Sequence, residues 1–219
     1  MKTMYIGSGD VAALLAGLHT KTHHNLLKRF VSDRKPHYNA KASPIDALRT
    51  GAIIEDRYGL ILPNDFYPQV VKVYEKMDVL KCSLDFAQMA NGKIINFEEL
   101  KSCSFNDFLA FEKFRNDSLG GVEYIKKRYK ANYNQVQEQL LCTGLDSAFI
   151  VFVAVYTYDD DVNYTRNIKA NEVIKFSIKR DETVMSKIIE RAEIFQQIKN
   201  IINKLHYINN YLYICDEFK

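Results

Sequence analysis

The sequence predicts an α/β domain, a central mixed β-sheet flanked by helices. Three observations predict it. Strand-like runs crowd into residues 68–101, the last two separated by Asn91-Gly92. Two further runs, rich in β-branched and aromatic residues, occupy 147–158 and 172–180. Segments of helical periodicity stand before, between and after these runs, an order that suits helices packed on a sheet. The nine glycines and four prolines are dispersed, with no repeat and no linker-like stretch, so residues 1–219 read as one domain.

Taken in order, "SGDVAALLAG" (8–17) reads as a short helix with Ser8 or Asp10 near its start. "SPIDALRTGAIIEDRYG" (43–59) reads as a second: Ser43 can cap it, Pro44 suits the first turn and Gly59 ends it. "PQVVKVYEKM" (68–77), "VLKCSLDF" (79–86) and "KIINFEELK" (93–101) are the strand-like runs, and Asn-Gly is a strong hairpin signal. Two helices follow, 104–116 and 120–144; in the second, Tyr129, Tyr133, Val136 and Leu140 share one face. "SAFIVFVAVYTY" reads as a buried strand and "EVIKFSIKR" as its neighbour, with the acidic "YDDDVNY" as a solvated hairpin turn rather than a calcium loop. Asp181 then caps a long helix whose Val184, Ile188, Ala192, Phe195, Ile198, Ile202 and Leu205 form one apolar stripe.

Composition narrows the class. Hydrophobic residues make up 47% and charged residues 26%, an ordinary globular balance. A net charge of +3 does not announce a nucleic-acid binder, so any basic surface must be local. Apolar runs fall short of the roughly 18 residues a membrane helix needs, and no signal peptide is expected. Cys82, Cys103, Cys142 and Cys215 are scattered without a C-x-x-C pair, which argues against a zinc knuckle and for reduced thiols in a cytoplasmic protein.

The chemistry centres on Glu99-Leu100-Lys101. On a strand, alternate side chains share a face, so Glu99 and Lys101 point the same way with Leu100 behind them. A plain surface ion pair would be worth only about 0–1 kcal/mol. Pairing across the Asn91-Gly92 hairpin brings Asp85 alongside Glu99, and the upstream helix offers Glu55. Carboxylates brought together repel unless a cation neutralises them, and a hard cation such as Mg²⁺ takes oxygen ligands. A nearby lysine can orient a metal-bound water or steady the charge that develops on phosphorus. Glu55, Asp85, Glu99 and Lys101 together therefore suit phosphodiester cleavage.

The Asp…Glu-x-Lys arrangement resembles the PD-(D/E)xK nuclease superfamily, with its restriction-endonuclease-like core. More narrowly, the chain resembles phage exonucleases of the YqaJ and lambda exonuclease type. "IGSGDVAALLAG" resembles that family's amino-terminal helix start, and "LRTGAIIED" its G-x-x-x-E helix. "FLAFEKFRNDSLGGVEYIKKRYKANYNQVQEQLLCTG" resembles the region ending in its Q-V-Q helix, and "IKRDETVMSKIIERAEIF" its closing strand and helix. The likeness runs from about Ile6 to about Phe195.

The resemblance implies roles by position. Asp85 and Glu99 would bind Mg²⁺, with Mn²⁺ as a substitute, and the Leu100 carbonyl would face the metal. Lys101 would be the catalytic lysine. Glu55 would be a further ligand, direct or through water, and Gln135 would stand at the active site. Gln139 lies one turn later on the same helix face and is assigned to DNA contact, while Gln137 points elsewhere. Ser8, Lys2, Lys28 and Arg29 are the other candidates for DNA contact. Two departures bear on this: Phe86 follows Asp85 where the family has glycine, and Gly7-Ser8-Gly9-Asp10 exchanges serine and glycine.

The resemblance also implies degradation of one strand of linear double-stranded DNA, 5′ to 3′, leaving 3′ single strands for phage-type recombination. Its implied partners are double-stranded DNA ends, a single-strand annealing protein and two further copies in a homotrimer. A structure- or site-specific endonuclease and a non-catalytic DNA-binding protein are the alternatives. Two basic clusters could meet phosphates: Lys21, Lys28, Arg29, Arg34 and Lys35, and Lys126, Lys127, Arg128 and Lys130. His19 and His23 are spaced to share a helix face, read as solvated or DNA-facing together with His24.

Overall fold

The computed structural model describes residues 4–32 and 45–217, with side chains from 47 to 205 in the second stretch. The Ser43-Pro44 cap, Lys2, Arg34 and Lys35 fall outside the described residues.

Among the described residues, six strands form one mixed sheet: β1 (Ile6–Gly7), β2 (Phe66–Val73), β3 (Leu80–Ala90), β4 (Lys93–Ser104), β5 (Ser147–Val155) and β6 (Val173–Lys179). Strands β3 and β4 form the hairpin that Asn91-Gly92 predicts. Both residues have positive φ, 51° and 72°, the left-handed pair that a two-residue turn between Ala90 and Lys93 requires. Strand β4 then pairs parallel with β5, and β5 antiparallel with β6. The parallel step needs a crossover, supplied by α4 (Phe105–Glu112), α5 (Ser118–Arg128) and α6 (Lys130–Thr143).

On the other side, β2 runs antiparallel to β3 as an exposed edge strand, which Pro68 and Lys72 suit. Lys81 pairs with both Val73 of β2 and Gly7 of β1, so β1 and β2 lie on opposite sides of β3. Strand β1 therefore shares a side of β3 with β4. It fits there because the β3–β4 ladder runs only as far as Phe86 and Glu98, after which the strands splay. The candidate site sits at that splay.

Both faces of the sheet are covered, and the period-two alternation of β5 shows it. Ile150, Phe152 and Ala154 pack into the larger core with Val136 and Leu140 of α6 and with Met185, Ile188 and Phe195 of α8 (Glu182–Glu217). Val151, Val153 and Val155 pack into the second core with Ile54 and Tyr58 of α3 (Ile45–Gly59). Asp181 caps α8 as expected, its carboxylate accepting from the Val184 amide at 3.2 Å. The apolar stripe of α8 stops short: Ile198 and Ile202 pack partly against the core, and Leu205 is exposed. Among the described residues no helix is long and apolar enough to cross a membrane.

Four local expectations need correction. Residues 8–17 do not form one helix: a 3₁₀ turn (Ser8–Asp10) leads into a four-residue α1 (Val11–Leu14), preceded by β1. The long helix over 120–144 breaks at Tyr129 (φ −122°, ψ 41°), whose ring packs on Phe111 and Phe152 within an aromatic cluster. "YDDDVNY" is not a hairpin turn but a short helix, α7 (Asp160–Thr165), with Asp159 accepting from the amides of Asp161 and Val162. His19 and His23 do not share a helix. His19 precedes α2 (Lys21–Ser32), and His23 turns inward against the edge of Phe195.

Candidate active site

Strand alternation sets the site. Glu98 and Leu100 face the α3 side, where Glu98 accepts from Tyr58 at 2.5 Å and from Lys175 at 2.6 Å. Glu99 and Lys101 face α6. Glu99 is 1% exposed and is held by three donors: Lys101 Nζ at 2.5 Å and Gln135 Nε2 at 2.6 Å on Oε1, and Gln139 Nε2 at 2.5 Å on Oε2. A buried carboxylate needs such partners, because desolvation without them is costly.

Asp85 stands where the two strands part. Its Oδ2 accepts from the Leu100 amide at 2.8 Å, so a side chain takes the place of a ladder partner. Burial pushes the Asp85 carboxyl up to about 8; Glu99 and Glu55 add to the rise and Lys101 opposes it. Glu55, on α3, is raised by burial, partly offset by a hydrogen bond from Gln69, and raised further by Glu99. Burial alone would lower Lys101, but Glu99 and Asp85 outweigh it and hold the ammonium above its ordinary value.

Three carboxylates thus act on one another around a single ammonium. The mutual repulsion and the all-oxygen donor set fit a hard divalent cation. Among the described residues the oxygens of Glu55, Asp85 and Glu99 do not all lie within 4.8 Å of one another. Glu55 is instead engaged with Gln69 Nε2 at 2.5 Å.

Several site residues lie elsewhere than expected. Gln139 does not face DNA: it is fully buried, and its amide also reaches the Ser83 carbonyl at 3.0 Å, so it orients Glu99 from behind. Ser8 is buried and stands as the first residue of the 3₁₀ turn, whose cap position is Gly7. Arg29 is engaged by Asp10 at 2.6 Å, while Lys28 is exposed on α2. Gln137 points away, as its spacing implies, and bonds Lys179 and Asp181 at the entry to α8.

Gln69 is the residue that sequence reasoning missed. It holds a left-handed backbone (φ 53°) in the middle of β2, beside the Pro68–Phe86 and Val70–Leu84 pairs. Its side chain bridges Glu55 and Ser83, the latter at 3.0 Å. Pro68 was the available signal, since proline inside a strand marks an irregular edge.

Solved structures share this arrangement of strands and helices. An alkaline exonuclease from Laribacter hongkongensis matches with a TM-score of 0.58 at 14% identity, over 97% of this chain and 95% of that one. A phage-related exonuclease from Haemophilus somnus matches with a TM-score of 0.60 at 15% identity, over 93% of this chain and 97% of that one. The fold is the one these exonucleases share. A second structure of the Laribacter hongkongensis exonuclease, in complex with dAMP, matches with a TM-score of 0.54 at 16% identity, over 97% and 95% of the two chains. No family model matches the sequence, and no curated protein matches it. In this exonuclease fold, Asp85, Glu99 and Lys101 occupy the splayed end of the central hairpin, and α6 closes over them.

Proposed function

We propose that the chain is a metal-dependent deoxyribonuclease that degrades one strand of linear duplex DNA. The single observation that carries this is the grip on Glu99. Three donors from β4 and α6 fix a buried carboxylate beside Asp85, far more apparatus than an ion pair on a strand requires. The shared fold adds support. Polarity from 5′ to 3′, 3′ single-stranded product, delivery to an annealing protein and assembly as a homotrimer belong to the same reading, on the strength of the sequence resemblance.

Asp85, Glu99 and the Leu100 carbonyl would hold Mg²⁺ or Mn²⁺, with Glu55 reaching it directly or through water. When bound, the cation lowers the pKa of a water and offsets charge on the phosphoryl oxygens. Gln135 and Gln139 keep the Glu99 carboxylate in one orientation. Lys101, paired with Glu99 at 2.5 Å on the same strand face, is the cation that would meet a scissile phosphate at this site. There it positions the attacking water and stabilises the charge that develops in the transition state.

The deciding experiment compares linear and closed circular duplex DNA, each with Mg²⁺ and with EDTA. Loss of linear DNA alone, and only with metal, is expected. Cutting of closed circles would replace the exonuclease reading with an endonuclease one, and full activity in chelator would remove the metal.

A further inference from the structure

Behind Glu99, on the core side of α6, a second cluster of donors lies apart from the carboxylate site. Cys82 of β3 and Glu138 of α6 are completely buried, and Cys142, one turn after Glu138, is 7% exposed. A sulfur of each cysteine and an oxygen of Glu138 all lie within 4.8 Å of one another. The Cys142 Sγ–Glu138 Oε1 distance is 3.3 Å. The other oxygen, Glu138 Oε2, is buried without a hydrogen-bond partner. Far apart in sequence, the two cysteines meet only because α6 packs on β3.

A carboxylate set into an apolar core with one oxygen unsatisfied is costly unless something compensates it. Burial pushes the Glu138 carboxyl up to about 8. Hydrogen bonding with Cys82, then burial, pushes the Cys142 thiol far up. Either protons or a cation must therefore occupy this cluster.

We propose that Cys82, Glu138 and Cys142 form a buried structural site for a borderline-soft divalent cation, Zn²⁺ foremost, that ties β3 to α6. Two sulfurs and a carboxylate are a zinc donor set and a poor one for Mg²⁺, which keeps oxygen ligands and water. Zinc–sulfur distances of about 2.3 Å place tetrahedral donor atoms roughly 3.5–3.8 Å apart, so donors lying within 4.8 Å of one another need to close by at most about 1.3 Å. The Cys142 Sγ–Glu138 Oε1 contact, at 3.3 Å, is already that short. Coordination replaces the thiol and carboxyl protons, which leave to solvent, and the fourth position of the tetrahedron is left for water.

The consequence is mechanical. Cys82 lies three residues before Asp85, and Glu138 adjoins Gln139, so the ion would fix the spacing between the strand that carries Asp85 and the helix that grips Glu99.

The test uses the full chain, stripped of metal and titrated with Co²⁺. Cobalt substituted into a thiolate site gives a thiolate-to-metal charge-transfer absorption in the near ultraviolet, whereas carboxylate sites do not. The expected result is that band at one equivalent, its loss on adding one equivalent of Zn²⁺, and a rise in Tm with Zn²⁺ that Mg²⁺ does not reproduce. The band persists in Asp85→Asn and in Cys103→Ala, weakens in Glu138→Gln and disappears in Cys82→Ala. Absence of the band in the unsubstituted chain overturns the proposal, whatever the variants do. So does tight Zn²⁺ uptake that survives in the folded Cys82→Ala, Cys142→Ala double variant. None of these readings depends on nuclease activity.

Discussion

Gln139 donates to Glu99 Oε2 at 2.5 Å from a position with no exposure to solvent, and the same amide reaches the Ser83 carbonyl at 3.0 Å. One side chain thus joins β3, β4 and α6 at the point where the two strands separate. Gln139→Met keeps the shape and removes the donor, leaving a buried carboxylate oxygen and a carbonyl unpaired. A loss of about 1–3 kcal/mol is expected in chemical denaturation. The cleavage rate should fall with it, while DNA affinity measured in Ca²⁺ stays within about twofold. A selective loss of affinity with stability intact would return Gln139 to the DNA interface.

Lys101 shares Glu99 Oε1 with Gln135. If its role lies in the transition state, Lys101→Ala lowers the single-turnover rate by orders of magnitude and changes DNA binding little. Because two glutamine amides remain on Glu99, the variant should fold with only a small change in Tm. Equal losses in binding and rate would make Lys101 a phosphate anchor instead.

The metal-free site has a pH signature. The folded-state pKa of Asp85 is about 8, above its ordinary value of 3.8, so between these two the folded state binds a proton that the unfolded state does not. Stability from this group is therefore fully present below about pH 4 and is lost as pH rises toward 8. In metal-free buffer Tm should decline across that window more steeply for the native chain than for Asp85→Asn. Saturating Mg²⁺ should remove most of the difference. Parallel profiles for the two proteins would show that Asp85 does not carry the repulsion.

Gln69 offers a test on the edge strand. Its φ of 53° is a conformation that asparagine tolerates well, but an asparagine side chain is one carbon too short to span Glu55 and Ser83. Gln69→Asn should leave stability within about 0.5 kcal/mol. The cleavage rate should drop severalfold if holding Glu55 matters, and more so at low Mg²⁺. A normal rate at every Mg²⁺ concentration would detach Glu55 from the metal.

Much of the site was legible because strand geometry is simple. Alternation alone put Glu99 and Lys101 on one face and Leu100 behind them, and Asn91-Gly92 fixed the hairpin that brings Asp85 near. The polar interior of α6 was not legible. Gln137, Glu138 and Gln139 are consecutive and all buried, whereas a helical pattern read from apolar residues assigns such a run largely to solvent. They are buried because the site and its supports are built into that helix. Strand β1 was missed because two residues carry no periodicity, and the break at Tyr129 because ring packing, rather than proline or glycine, ends α5. The left-handed Gln69 lies beyond pattern reading, since its backbone is imposed by neighbours distant in sequence.

The last prediction concerns the end of the DNA. The Arg29 guanidinium meets Asp10 at 2.6 Å, the two side chains 32% and 27% exposed, so much of its charge is neutralised within the chain. Lys28 beside it remains exposed. The 3₁₀ turn at Ser8–Asp10 and the four-residue α1 make too short a helix to attract an anion strongly, and Ser8 is buried. Among the described residues, Lys28 and a partly masked Arg29 are the side chains assigned to a 5′-phosphate here, and the preference for phosphorylated over hydroxyl ends should be modest. Asp10→Asn unmasks Arg29. Affinity for duplex ends should rise severalfold at low salt, and the gain should shrink at raised salt, because the added contact is a phosphate contact that releases counterions. Digestion of phosphorylated and hydroxyl ends by the native chain, Asp10→Asn and Lys28→Ala, at two salt concentrations, reads all of this. A strong phosphate preference that none of these changes alters would place the end-binding pocket on another face of the protein.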